Sequence, residues 1–291
     1  MSETPAAPTL PFIRLGLIGD NIAKSQSPKL HRLAGRQNGR AVTYDSLVPR
    51  ERGLEFDALF AFCAADGYRG LNITYPYKER AAAKVTVDDP LVRAIGAVNT
   101  VVFDVGGPHG FNTDYSGFIA AYRLVRGAAL PGITCMIGAG GVGRAVAFGL
   151  IALGVTEIRI ADQDIAKARA LCDALCAASP GLTATPGTDA RALALGAEGV
   201  INCTPVGMVG HDGTPLPRDA MPRPATSGGG WAFDAVYTPV ETRFLQDAEA
   251  CGLTIISGYE LFFGQGVDAW TIFTGLPLDH ARLRADLLQP E

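Results

Sequence analysis

The chain has 291 residues, 48% hydrophobic and 19% charged, with 35 glycines and 19 prolines, enough for two compact domains and typical of a loop-rich α/β protein. A formal net charge of −4 gives no electrostatic reason to expect nucleic acid or an anionic membrane as partner. Cys63, Cys135, Cys172, Cys176, Cys203 and Cys251 form no Cys-x-x-Cys pair, and His31, His109, His211 and His280 lack a partner at metal-ligand spacing; no metal site is expected, and reduced thiols in a cytoplasmic protein are.

Taken in chain order, Met1 to Pro11 is proline-rich with no basic stretch before an apolar core, which reads as a frayed tail and not a signal peptide. Phe12 to Ile18 predicts a strand, and Ser27-Pro28 a helix start, with Ser27 as cap and proline in the first turn. Val42 to Val48 alternates as a strand, Leu54 to Ala65 reads as helix, Gly70 to Thr74 as strand, and Pro76 opens a short helix. Ala97 to Asp104 predicts a strand that turns at Gly106-Gly107-Pro108 and returns through Gly110 to Asp114. This half reads as its own βαβ system.

A helix from Tyr115 to Arg126 leads to a second one, with strands at Ile133–Ile137, Glu157–Ala161, Gly199–Cys203, Trp231–Val236 and Thr254–Ile256. Ala225 to Gly230 reads as a flexible loop. Gly258 to Thr274 is an aromatic-rich helix, and another follows Leu278. The most membrane-like window, Ile133 to Leu153, is broken by glycines and Arg144, so no span is expected. The expected architecture is two-domain α/β. A substrate-binding α/β domain covers residues 1–114 and is completed by 258–291; a Rossmann-type dinucleotide-binding domain covers 115–257; the C-terminal helices return to the first domain.

The sharpest local signal is Gly138-Ala139-Gly140-Gly141-Val142-Gly143, which leaves an apolar strand and opens a helix. Gly138 suits the tight turn, Gly140 lets the main chain approach a pyrophosphate, and Gly143 lets the helix pack on the sheet; the helix start supplies N–H groups and a positive dipole for the anion. Asp162 ends the next strand, about 20 residues further on, where a carboxylate accepts both ribose hydroxyls. It would repel a 2′-phosphate, and the nearest basic residues, Lys167 and Arg169, fall on the solvated face of the following helix. NAD is therefore the expected cofactor, with NADP disfavoured. Asp164 reads as that helix's N-cap. The bland alternative for the whole segment is a plain strand–turn–helix with loop glycines.

Polar residues gather at strand ends in the first half: Ser25, Ser27, Asn72, Thr74, Lys78, Asn99 and Asp114. Hydroxyls and amides in this pattern suit a polyol, and serine hydroxyls with helix N–H groups suit its carboxylate. Each has a structural alternative. Ser27 reads equally as an N-cap, Asn72 and Asn99 as partners for buried backbone, Thr74 as a cap, and Lys78 with Asp114 as an inert surface pair.

In combination these segments resemble one family. Ser-x-Ser-Pro-x-x-His (Ser25 to His31), Gly-x-Asn-Ile-Thr-x-Pro-x-Lys (Gly70 to Lys78), Gly-Ala-Val-Asn-Thr (Gly96 to Thr100) and Gly-x-Asn-Thr-Asp-x-x-Gly (Gly110 to Gly117) are similar, in order and spacing, to the shikimate dehydrogenases, including their quinate/shikimate branch. Asn202 to Met208, Asp234 to Pro239 and Gly258 to Gly275 fit the same family.

The resemblance implies reversible reduction of 3-dehydroshikimate to shikimate, with quinate as a second substrate. It implies Lys78 and Asp114 as the catalytic pair, and Ser25, Ser27, Asn72, Thr74, Asn99, Tyr237 and Gln265 as substrate contacts. The glycine turn, Asp162, Thr204 and Gly258 are implied on the cofactor side. Departures are Arg32, where Asn commonly follows the His, and Leu261, where Met is usual; Ser27 stands where quinate-using relatives often carry Thr. Two other readings stay open: a dehydrogenase of the methylenetetrahydrofolate type, which the Ser-x-Ser-Pro and Asn-Thr-Asp motifs weigh against, and a metabolite sensor, which would be expected to have lost Lys78 or Asp114. The expected partner is a small-molecule substrate, shikimate or quinate, and the chain is expected to be a monomer or homodimer.

Overall fold

The computed structural model of the chain describes residues 12–20, 22–223 and 229–289. The expected tail at Met1–Pro11, and residues 225–228 of the expected loop, lie outside the described residues. In chain order the first elements are β1 (Phe12–Ile18), α1 (Ser27–Gln37), β2 (Ala41–Leu47), α2 (Phe56–Ala65), β3 (Gly70–Ile73), α3 (Lys78–Ala82), α4 (Pro90–Ile95), β4 (Thr100–Asp104), β5 (Gly107–Phe111) and α5 (Thr113–Arg126). There follow β6 (Thr134–Ile137), α6 (Gly141–Ala152), β7 (Glu157–Ala161), α7 (Ile165–Ala178), β8 (Thr183–Gly187), α8 (Ala190–Ala194), β9 (Gly199–Asn202), β10 (Trp231–Asp234), α9 (Arg243–Ala250), β11 (Thr254–Ile256), α10 (Gly258–Thr274) and α11 (His280–Leu288).

The described residues form two compact units, one from those lying within segments 12–87, 98–111 and 266–289, the other from those lying within 88–97 and 112–265. In the first, a five-stranded sheet has the order β2-β1-β3-β4-β5. The strands β2, β1 and β3 run parallel, while β4 and β5 form an antiparallel hairpin. That hairpin qualifies the βαβ expectation: the turn at Gly106-Gly107 reverses the chain, and no crossover helix follows β4. Strand β1 is apolar and buried along its second half, as expected of a parallel strand covered on both faces. Leu15, Leu17 and Tyr44 pack there with Ala269 and Phe273 of α10. Helix α11 lies in this unit too, where the Lys29 ammonium donates to the carbonyls of Leu287, at 2.9 Å, and Gln289.

The second unit carries a six-stranded, wholly parallel sheet of order β11-β10-β9-β6-β7-β8. Strands β6, β9 and β10 are buried at every residue. Their core is aromatic on one face, with Phe118 and Tyr122 of α5 packed edge-on against Phe233 and Trp231. Segment 88–97, which reads in sequence with the first half, packs here: Ile95 and Ala97 enter this core, and the Arg144 guanidinium of α6 donates to the carbonyls of Ala94, at 2.8 Å, and Ile95.

Several local readings are corrected. Ser27 is the first residue of α1 and not its cap; Gln26 holds the cap position without a side-chain bond, and the Ser27 N–H is taken by Ser25 Oγ at 3.3 Å. Thr74 does not cap a helix at Pro76. Residues 74–77 form a turn closed by Tyr77 N–H to Thr74 O at 2.9 Å, and α3 begins at Lys78. Asn99 precedes β4 and does not lie inside a strand. Asp164 does cap α7, accepting from Ala166 N–H at 3.0 Å. Helices α4 and α8 and strand β8 carry no pattern strong enough to mark them in the sequence, being five or six residues long.

The glycine turn shows which glycines the fold itself needs. Gly138 has φ +103°, in the left-handed region. A Cβ on Gly143 would fall well inside van der Waals contact with the Gly138 carbonyl oxygen, whereas one on Gly140 or Gly141 would meet nothing within 4 Å. Gly143→Ala is therefore expected to lose about 2–3 kcal/mol of unfolding free energy, because backbone must yield. Gly140→Ala should stay within about 0.5 kcal/mol of the parent. Urea titration of both variants checks this; equal stabilities would contradict it.

Candidate active site

The cofactor side is assembled at the carboxyl ends of β6, β7, β9 and β10. Gly140 is the N-cap of α6 and makes no side-chain cap bond, and the first turn holds no acidic residue. The amides of Gly141, Val142 and Gly143 thus open a helix start suited to an anion. Because a Cβ at Gly140 or Gly141 would project into open space, glycine there keeps a shallow cradle bare, and the cradle fits a pyrophosphate.

Asp162 leaves β7 beside this turn. One carboxylate oxygen accepts from Ala139 N–H at 2.7 Å, the other from Asp164 N–H at 2.9 Å. Its position is fixed by main chain while each oxygen retains a lone pair for a ribose hydroxyl. Lys167 and Arg169 are exposed on α7.

Beyond β9 and β10 lies a buried polar network. Asn202 Nδ2 donates to Asp234 Oδ1 at 2.9 Å and to Val206 O at 3.0 Å, and Asn202 Oδ1 accepts from Thr204 N–H and from the Thr204 hydroxyl, at 2.9 and 2.7 Å. Asp234 also accepts from Val236 N–H at 3.0 Å and the Thr242 hydroxyl at 2.5 Å. It is 0% exposed. Burial pushes its carboxyl up to about 6, against the bonds from Thr242, Val236 and Asn202 that favour the charged form. Cys203, between these loops, has its thiol pushed up by burial and by the charges of Asp234 and Asp114, so it is no ready nucleophile.

Thr204 is held by this network, and Tyr237 extends from the same edge with its ring stacked on Phe262, centroids 5.1 Å apart. Gly258, at the start of α10, is pressed against the backbone of residues 234–236, where any Cβ would clash. Gln265 backs onto Gly117, at a close crossing of α10 and α5. Asp114 sits in the first turn of α5, 4% exposed, behind the Asn112 cap whose Nδ2 donates to Ala97 O at 3.0 Å.

In the first unit the structure connects several predicted contacts. The Tyr44 hydroxyl donates to Asn72 Oδ1 at 2.8 Å. Asn72 Nδ2 donates to Thr100 Oγ1 at 3.1 Å and to Asn99 O at 3.4 Å, and the Thr100 hydroxyl donates to Asn99 Oδ1 at 3.1 Å. Ser25 precedes this group and takes the Ser27 N–H. Thr74 is fixed by its N–H to Ile18 O at 2.9 Å and packs its methyl against Gly19. Lys78 heads α3, its carbonyl accepting from Val98 N–H at 3.1 Å. Lys78 belongs to the first unit, while Asp114, Tyr237 and Gln265 belong to the second.

Sequence reasoning missed Tyr44 and Thr100 as members of this cluster, and it gave His31 no role beyond its motif. His31 is stacked on Tyr44, centroids 5.2 Å apart at 11°. Burial pushes its imidazole down to about 4, against a hydrogen bond to Asn72. Tyr44 stands in an alternating strand like any other core aromatic, and only the register of β2 beside β1 reveals its neighbours. Among the described residues, no group of three or more His, Cys, Asp or Glu could hold a metal ion, and no helix is long and apolar enough to cross a membrane.

A parallel sheet with an anion-binding glycine turn, carried in one chain with a second α/β unit lined by hydroxyls and amides, is the construction of a two-domain oxidoreductase that uses a nicotinamide dinucleotide. Residues 17–101 match the model of the shikimate dehydrogenase substrate binding domain. A quinate/shikimate dehydrogenase (NAD(+)) of Corynebacterium efficiens is 39% identical over 95% of this chain and 98% of its own length. A shikimate dehydrogenase (NADP(+)) of Pseudarthrobacter chlorophenolicus is 36% identical over 94% of each. The solved quinate dehydrogenase of Corynebacterium glutamicum in complex with NAD superposes with a TM-score of 0.87 at 36% identity, covering 95% of this chain and 98% of that one. The chain belongs to the shikimate dehydrogenase family. Neither the folate-type nor the sensor reading is favoured by these relatives.

Asp234 sets a pH dependence. Its ordinary value is 3.8 and its folded value about 6, so between these the native state holds a proton that the unfolded state has released, and stability falls as pH rises through about 6. The unfolding free energy of the parent minus that of Asp234→Asn is expected to decline by at most about 3 kcal/mol from pH 4 to pH 7. A flat or rising difference in urea titrations would contradict the burial account.

Proposed function

We propose that the chain oxidises shikimate to 3-dehydroshikimate, reversibly, with NAD, and takes quinate as a second substrate. The observation that carries the reading is the Tyr44–Asn72–Thr100–Asn99 cluster on β2, β3 and the start of β4, a set of hydroxyls and amides suited to a polyhydroxylated acid. A nicotinamide dinucleotide held at the α6 turn supplies the hydride acceptor. Ser25 and Ser27 bind the substrate carboxylate, and Asn72, Thr74, Asn99 and Gln265 orient the ring hydroxyls, with Tyr237 beside the ring. As the carbinol carbon loses hydride its hydroxyl must lose a proton; Lys78 accepts it, and returns it in the reverse direction. Asp114 orients Lys78 and shares the substrate hydroxyl.

Asp162 supports NAD over NADP. Held by two main-chain N–H groups, it cannot swing aside from a 2′-phosphate without leaving both unpaired, and Lys167 and Arg169 lie exposed on the helix beyond. Gly140, Gly141, Val142, Gly143, Ala139 and Gly138 cradle the pyrophosphate, with Thr204 and Gly258 on the nicotinamide side. The six cysteines are all free thiols, three of them buried, which supports a reducing, cytoplasmic setting.

Two outcomes are expected. Lys78→Ala should lower kcat about 10²–10⁴-fold, about 3–5 kcal/mol, with a far smaller change in KM for shikimate; an unchanged kcat in a folded variant removes Lys78 from the chemistry. Asp162→Ala should narrow the ratio of kcat/KM with NAD to that with NADP, the loss falling on NAD. A parent enzyme that prefers NADP would refute the role given to this acid.

A further inference from the structure

Asp234 is fully buried at the end of β10, and among the described residues no cation pairs with it; its partners are a side-chain amide, a hydroxyl and a main-chain N–H. Burying a carboxylate against neutral donors alone is costly, and an apolar residue of similar volume would hold the sheet as well. Folds that break a local rule in this way do so at functional sites, and the carboxyl edge of a parallel sheet is where α/β proteins bind their ligands.

The bonds around this carboxylate run in one direction. Main chain orients Asn202: its Oδ1 accepts from Thr204 N–H at 2.9 Å, and its Nδ2 donates to Val206 O at 3.0 Å. Nδ2 therefore also faces Asp234, whose Oδ1 accepts from it at 2.9 Å and from Val236 N–H at 3.0 Å. The other oxygen, Oδ2, accepts from the hydroxyl of Thr242, the N-cap of α9. The Thr204 hydroxyl donates to Asn202 Oδ1 at 2.7 Å and accepts from Val206 N–H at 3.2 Å, which closes the loop after β9 onto Asn202. One carboxylate oxygen thus ties the loop that bears Thr204 to the loop after β10, while the second anchors the start of α9.

We infer that Asp234 is a positioning residue for the nicotinamide end of the cofactor: through Asn202, its Oδ1 sets the loop that carries Thr204. This rests on the proposed placing of Thr204 on the nicotinamide side. Fully buried, Asp234 itself touches no ligand. The rest of the dinucleotide is served by other residues, the α6 turn and Asp162, whose carboxylate is fixed by the N–H groups of Ala139 and Asp164. Loss of the Asp234 acceptor is therefore felt by the nicotinamide and not by the remainder of the cofactor.

Equilibrium binding of NADH and of ADP-ribose, which lacks the nicotinamide, to the purified full chain tests it. Asp234→Ala is expected to raise the Kd for NADH about tenfold while the Kd for ADP-ribose stays within about twofold of the parent. Asp234→Asn keeps Oδ1 toward Asn202 and Val236 and turns its amide hydrogens to the Thr242 oxygen, so its Kd for NADH should return to within about twofold of the parent. Should Asp234→Ala fail to fold, Asn202→Ala carries the test with the same expectation, since it cuts the link to Thr204 and leaves Asp234 its bonds from Val236 and Thr242. Equal losses for the two ligands would mean that Asp234 merely supports the fold and would overturn the inference. So would an unchanged Kd for NADH, no recovery in Asp234→Asn, or a parent that binds ADP-ribose as tightly as NADH. The expected binding pattern in a protein that turns over neither shikimate nor quinate would leave the inference standing and remove the proposed reaction instead.

Discussion

The cofactor unit depends on the closeness of α6 to the turn it springs from. Gly143 lies so near the Gly138 carbonyl that no side chain fits between them. That contact directs the helix start toward the carboxyl edge of the sheet, where Asp162, Thr204 and the Asp234 network also emerge. A parallel sheet buried on both faces has nowhere else to put polar chemistry. Strands β6, β9 and β10 are buried throughout, and their first polar side chains beyond the apolar run, Asn202 and Asp234, come at their last residues and bind each other.

The same economy governs the first unit. Its site residues are tied together by side-chain bonds whose donors and acceptors leave little freedom: Asn72 engages Tyr44 through oxygen and Thr100 and Asn99 through nitrogen. Preorganisation of this kind costs nothing at the moment of binding, because the amide is already turned. It also makes a core aromatic, Tyr44, a partner of the site.

Much of this was legible in the sequence, for reasons that can be located. Strands β7 and β11 and helix α10 were read to the residue because apolar runs there end at clear punctuation. The glycine turn was legible because its spacing follows from the geometry of a phosphate against a backbone, and Asp162 because strand length fixes its distance from that turn. Other features were hidden. The helical α4 and α8 are shorter than the two turns a periodic pattern needs, and β8 is an exposed-to-intermediate edge strand with no buried face to announce it. The capping at Ser27 was misread because a serine before proline fits both the cap and the first turn, and only the Ser25 hydroxyl, two residues back, decides between them. Tyr44 and Thr100 join the site through strand register, which sequence spacing alone does not encode.

The central claim is that this chain transfers hydride between a hydroxylated alicyclic acid and NAD. It is tested most directly by steady-state kinetics of the purified protein with shikimate and quinate, each with NAD and with NADP, following the absorbance of reduced nicotinamide. The account predicts turnover of shikimate, measurable turnover of quinate, and a higher kcat/KM with NAD than with NADP for both. Absence of reduced nicotinamide under all four conditions, from protein shown to be folded, would contradict it.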